Sequence, residues 1–233
     1  MNLTTLKKHY FSTLPFLFIL IGLTLLFLSL GPLIGSEILY YLGELTSRKY
    51  ILDENAAHAN DEEQSVFSNL LGNQITYVTP PNKDFSLVIE RLNISAPVVK
   101  DVTVFDRDSY NEALKGGIAH SISSNYPSSD PGNVYLFAHA SLNFWELGKY
   151  ATVFNLLRKV RTEDLIHVFY KGDDYIYKVI DKEVYKGWDV RPLTRLYIEP
   201  ILTLQTCDPP GTTLNRLVVT AKLMEIKKLS DTN

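Results

Sequence analysis

The spacing of apolar residues changes character twice along the chain. From Leu14 to Ile34 the sequence is apolar without a single charge, and as a helix at ~1.5 Å per residue it matches a hydrocarbon core of ~30 Å. The run predicts a transmembrane anchor over residues 14–35, and a cleaved signal peptide is the alternative. Its length and the lack of a following A-x-A-like small-residue pair favour the anchor. Lys7 and Lys8 precede the run, and Glu37 and Glu44 follow it before Arg48 and Lys49. That bias places residues 1–13 in the cytoplasm and the rest outside the cell. Between Tyr50 and Asn82 there is no Lys or Arg, while Asp53, Glu54, Asp61, Glu62 and Glu63 occur. Residues 36–83 thus read as an acidic extracellular linker, with a short amphipathic helix around Val66 to Leu71.

From Phe85 the texture becomes short β-type runs, among them FSLVIERLNI, APVVKDVTVF, NVYLFAH, LIHVFY and YIYKVIDKEVY, separated by Gly, Pro, Asn and Asp clusters. One stretch, Leu147 to Lys159, has helical spacing in Leu147, Tyr150, Phe154 and Leu157. The expected fold is mainly β: a closed barrel over residues 84–227 with one or two short helices, and a tail at 228–233.

The last two runs, ILTLQTC and LNRLVVTAKLMEI, flank the turn DPPG and form a hairpin. With a side-chain period of two, Leu202, Leu204 and Thr206 share one face, and Thr203, Gln205 and Cys207 the other. In the partner strand Leu217, Val219 and Ala221 are core-facing, so Arg216 points the opposite way. If the two core faces coincide, Cys207 and Arg216 lie on one outer surface near one end of the hairpin.

Charge and cysteine content narrow the chemistry. A net charge of -3 leaves no basic excess for nucleic acid. A single cysteine excludes an intramolecular disulfide and a Cys-based zinc site, leaving a thiol that is either buried filler or a reactive centre. A guanidinium near it favours the nucleophilic thiolate and suits an oxyanion, but does not shuttle protons. A histidine is needed for that. His9 abuts the apolar run, His58 lies in the acidic segment, and His167 alternates within a strand. His120 and His139 both stand where an apolar strand gives way to a Ser-rich loop, and spacing alone does not separate them.

The run TLQTC at Thr203 to Cys207 resembles the Thr-Leu-x-Thr-Cys signature of the sortase family, followed after a short loop by Arg216 in an apolar strand. LVIERLNISAPVV at Leu87 to Val99 resembles the first strands of the sortase barrel, and GNVYLFAHAS at Gly132 to Ser141 the strand carrying its histidine. The resemblance covers roughly Phe85 to Glu225 and places His139 ahead of His120. Departures are Ala138 for the Gly before the histidine, Ala140-Ser141 where an Arg commonly follows, and Glu90 for a Pro; the short loop after Cys207 is unlike the housekeeping class.

The resemblance implies a cysteine transpeptidase. Cys207 would attack an LPXTG-like C-terminal sorting signal, Arg216 would stabilise the oxyanion, and His139 would protonate the leaving amine. An amine of a cell-wall precursor or pilin subunit would then resolve the thioacyl enzyme. It also makes Thr206, Leu204 and Ala138 candidates for substrate contact, although parity puts Thr206 and Leu204 on the core side. No cofactor is implied, and no metal-ligand set stands out. A papain-like protease is disfavoured because Cys207 ends a strand instead of starting a helix. A membrane-tethered β-domain that only binds surface proteins or peptides is the other reading.

Overall fold

The computed structural model of the chain describes residues 3–45, 49–53, 75–103, 106–140 and 148–229. It opens with helix α1 (Leu3–Leu45), followed by two short strands, β1 (Lys49–Leu52) and β2 (Ile75–Val78), paired in parallel. Eight further strands close into a barrel: β3 (Phe85–Ile89), β4 (Ile94–Val102), β5 (Ile118–Ser121), β6 (Gly132–Phe137), β7 (Leu165–Tyr170), β8 (Asp173–Lys186), β9 (Pro200–Asp208) and β10 (Asn215–Lys228). Their order around the barrel is β10-β8-β7-β3-β4-β5-β6-β9; β4–β5 and β6–β9 pair in parallel and the other pairs are antiparallel. The barrel interior is filled by inward residues of every strand, including Leu87, Ile118, Leu136, Val168, Tyr177, Leu204 and Val219. Closure leaves no long unpaired sheet edge, which suits a chain of short strands.

The expected mainly-β barrel is what forms, and three local differences have physical causes. First, the segment with helical spacing before Lys159 is not an α-helix. Ala151, Val153 and Asn155 donate to carbonyls three residues back, so it winds through tight turns into a 3-10 turn at Leu157–Lys159. That keeps Phe154 and Leu157 plugged into one end of the barrel. Second, the longer helix, α2 (Arg107–Gly116), falls between β4 and β5. Asp106 caps it by accepting from the backbone N–H groups of Asp108 and Ser109. Its Tyr110, Ala113 and Leu114, at helical spacing, cover the outer face of β5 and β6 with Ala119, Tyr135 and Phe137.

Third, both ends of the acidic segment are ordered strands. β1 and β2 cover Val88 and Phe169 on the outside of the barrel, through Tyr50, Leu52 and Val78. His58 and the helix expected around Val66 to Leu71 lie outside the described residues. The apolar side chains of α1 from Phe16 to Leu28 stand exposed. Among the described residues no helix is long and apolar enough to cross a membrane; the anchor is therefore a reading of the sequence. The end of α1 contacts the barrel through Glu37 to Arg158 at 2.5 Å and Glu44 to Arg161 at 2.7 Å.

Candidate active site

β9 and β10 meet in the register that parity required: Cys207 is paired with Arg216, Gln205 with Val218, and Thr203 with Thr220. Leu202, Leu204, Thr206, Leu217 and Val219 are all buried, so their neighbours Cys207 and Arg216 emerge on the outer side. Cys207 is half-buried. The Arg216 guanidinium is held by its own loop, Nη1 donating to the carbonyls of Asn215 at 3.1 Å and Thr213 at 3.3 Å.

β6 lies parallel to β9 on its other side, with Phe137 opposite Gln205, and the chain leaves it through Ala138, His139 and Ala140. Four backbone groups at and beside His139 are pinned. The N–H of Ala138 donates to the Gln205 carbonyl at 3.1 Å, and the Gly211 N–H, at a φ of +79° in the β9–β10 turn, donates to the Ala140 carbonyl at 2.6 Å. Thr206 Oγ1 donates to the Ala138 carbonyl at 2.8 Å, and the Phe154 N–H to the carbonyl of His139 itself at 3.3 Å. The hairpin that carries Cys207 and Arg216 therefore also fixes the backbone that carries His139.

The three residues expected at substrate are all buried. Leu204 is fully buried in the barrel core, and Thr206 and Ala138 are 3% and 6% exposed. Thr206 acts through its hydroxyl on the His139 backbone, and Ala138 and Leu204 pack beneath the site. The residue that sequence reading missed is Tyr110. Its ring lies 6.2 Å from that of His139 at an interplanar angle of 86°, and 5.5 Å from Phe137 at 10°. The available signal was Asp106, an N-cap residue seven positions before the Ala113-Leu114 pair.

A family model described as a sortase domain matches residues 87–224. The chain belongs to the sortase family. Members of this family are cysteine transpeptidases. Among solved structures, sortase C-1 from Actinomyces oris is similar at 25% identity and a TM-score of 0.52, with 60% of this chain and 73% of that one covered. Sortase C of Streptococcus pneumoniae shares the fold at 19% identity and a TM-score of 0.52, covering 61% of this chain and 68% of that one. No curated protein matches the sequence.

Within this sortase, burial pushes the pKa of the His139 imidazole below the ordinary histidine value. Its Nε2 is buried without a hydrogen-bond partner among the described residues. His120, the competing histidine, is fully buried and bonded through both nitrogens. His167 is buried against Asp174, Nδ1 to Oδ2 2.8 Å. Beside Val218 and Thr220, on the outer face that Cys207 shares, a cavity of about 360 Å³ is roofed by Pro192, Thr194 and Tyr197. The roof belongs to the segment joining β8 and β9, which exposes Trp188, Leu196 and Ile198. Arg191 and Arg195 also line the cavity, so it is of mixed polarity. No group of three or more His, Cys, Asp or Glu side chains among the described residues is arranged to hold a metal ion.

Proposed function

We propose that this sortase cleaves an LPXTG-like sorting signal through a Cys207 thioacyl intermediate and transfers the acyl group to an amine. The observation that carries the reading is the one-to-one pairing of Cys207 with Arg216 beside the pinned His139 backbone. At rest, the burial that lowers the pKa of His139 favours a neutral imidazole, which is able to accept the thiol proton. The thiolate sulfur then bonds to the scissile carbonyl carbon, and the electron pair moves onto oxygen. Arg216, a fixed cation at the same surface, offsets that charge. Once cationic, the same buried imidazole is a stronger acid than a free one, and it returns the proton to the leaving amine as the C–N bond breaks. An incoming amine attacks the thioester, gives its proton back through His139, and restores the thiol.

The cavity between the β8–β9 segment and Val218–Thr220 is read as the seat of the apolar part of the signal, which then runs toward Cys207. Protein substrates, with an amine of a cell-wall precursor or pilin subunit as acceptor, follow from the family; the pilus-related sortase C of Group B Streptococcus, similar at a TM-score of 0.51, gives the fold only. Residues 14–35 are read as a single-pass anchor with residues 1–13 cytoplasmic and the barrel outside the cell. The uncharged run from Leu14 to Ile34 and the exposed apolar side chains of α1 support this. The test is product analysis with a panel of sorting-signal peptides and hydroxylamine as surrogate amine. A hydroxamate of the N-terminal fragment, absent with Cys207→Ala, is expected. Simple hydrolysis or no cleavage across the panel contradicts the transfer.

A further inference from the structure

A histidine that moves protons in a catalytic site is normally oriented by a hydrogen bond from its second ring nitrogen to a carboxylate or carbonyl. The imidazole of His139 has none among the described residues: its Nε2 is buried and unpartnered, and the contacts that pin the segment all go to its backbone. Something else must set the plane of the ring. The aromatic neighbour placed to do so is Tyr110, perpendicular to the imidazole at 86° with centroids 6.2 Å apart. An edge-to-face pair of this kind has a preferred geometry, because the ring quadrupole rewards one orientation over others.

Tyr110 is itself rigidly held. It stacks on Phe137, the last residue of β6 and two positions before His139, at 5.5 Å and 10°. It sits in the first turn of α2, whose start is fixed by the Asp106 cap. The other end of α2 is fixed too: a Cβ at Gly117 would meet the Pro97 carbonyl oxygen at 2.2 Å, so the helix abuts β4 with no room to slide. Among the described residues the contacts of Tyr110 with Phe137 and His139 are made by its ring. Burial, and after it Cys207, raise its pKa while Arg216 opposes the rise.

We propose that Tyr110 is the positioning residue of His139, holding the imidazole plane by an edge-to-face ring contact where other such sites use a hydrogen bond. The proposal rests on the reading of His139 as the proton carrier for Cys207. Its consequence is that α2, an element outside the sortase signature, takes part in setting the proton-transfer geometry.

The test needs no identified substrate, because Cys207 is the only cysteine of the chain and iodoacetamide reports on its thiolate alone. The rate of alkylation is measured against pH in the full-length protein, with circular dichroism to verify the fold, for wild type, His139→Ala, Tyr110→Leu and Tyr110→Phe. His139→Ala is expected to displace the profile, and Tyr110→Leu to displace it in the same direction. Tyr110→Phe, which restores the ring without the hydroxyl, is expected to rescue the wild-type profile. Turnover of a cleaved peptide should fall about tenfold in Tyr110→Leu with KM unchanged. A folded Tyr110→Leu with the wild-type profile overturns the proposal while leaving His139 in its role. A Tyr110→Phe as displaced as Tyr110→Leu also overturns it, by assigning the effect to the hydroxyl. A His139→Ala that leaves the profile untouched overturns both the positioning role and the reading beneath it.

Discussion

His120 lies near the end of β5 and His139 two residues beyond β6, each closing an apolar run, yet their surroundings in the barrel are opposite. Around His120 every polar group is engaged. Nε2 lies 3.0 Å from the Asn125 carbonyl and 3.1 Å from Ser124 Oγ, and Nδ1 accepts from the Asp101 N–H at 3.5 Å. Tyr126 stacks on the ring at 4.5 Å and donates its hydroxyl to Asp101 at 2.7 Å; burial, and after it this bond, push the phenol pKa up to about 12. Serine, histidine and aspartate are adjacent there, but Ser124 Oγ also donates to the Ser121 carbonyl and accepts from the Tyr135 N–H, so nothing is free to react. Around His139 four backbone groups are tied, and the imidazole Nε2 is left unbonded among the described residues. Residue type and spacing do not distinguish the two; the placement of unsatisfied hydrogen-bonding capacity does.

The sharpest way to break this comparison is to remove each histidine in turn. His139→Ala should lower turnover per folded molecule by roughly 10²–10⁴ with little change in stability, read by peptide-cleavage kinetics and a urea melt. His120→Asn should do the reverse: stability falls by about 2–3 kcal/mol as buried partners are stranded, and turnover of the folded fraction stays within about twofold. An inactive but stable His120 variant would invert the assignment. Next in size, Arg216→Ala should cost roughly 10²–10³ in turnover through the lost oxyanion charge, and Arg216→Lys should recover only part of it.

Thr206→Val tests the link between hairpin and histidine. It keeps the volume and strands the Ala138 carbonyl, so stability should drop by about 1–3 kcal/mol. A severalfold loss of turnover with unchanged KM should accompany it if the hydroxyl positions His139; unchanged turnover would make Thr206 a plain core residue.

The smallest effect is on pH dependence. Burial lowers the pKa of both His120 and His139 below the ordinary value. A base whose folded pKa is depressed is protonated first in the unfolded chain. Its share of stability is thus complete above the unfolded value of ~6.5 and declines as the pH falls below it. Urea midpoints should drop between about pH 7.5 and 5.5, and less steeply in His120→Asn. An equal slope in that variant would locate the titration elsewhere.

How much of this was visible in the sequence follows from the range of the interactions. The register of Cys207 against Arg216 is written in the alternation of Leu202, Leu204 and Thr206 against Leu217, Val219 and Ala221, because a barrel strand has one inward face and a slip of one residue would bury the wrong set. The signature then ranked His139 over His120. The 3-10 path before Lys159 was not legible, since Phe154 and Leu157 have the same spacing whether they line a helix or plug a barrel end. Tyr110 was hidden for a related reason. In RDSYNEALKG only the Tyr110, Ala113 and Leu114 positions are apolar, too few to mark a helix, and their target is a strand that follows later in the chain. The Gly211 to Ala140 bond joins two loops, and no local pattern encodes such a contact.

The most direct test of the central claim is intact mass spectrometry of the protein quenched in acid during reaction with a cleaved sorting-signal peptide. The account predicts an adduct of the N-terminal peptide fragment on Cys207 that disappears on adding an amine, is absent in Cys207→Ala, forms far more slowly in His139→Ala, and forms normally in folded His120→Asn. An adduct that persists in Cys207→Ala, or one that depends on His120 and not on His139, would contradict it.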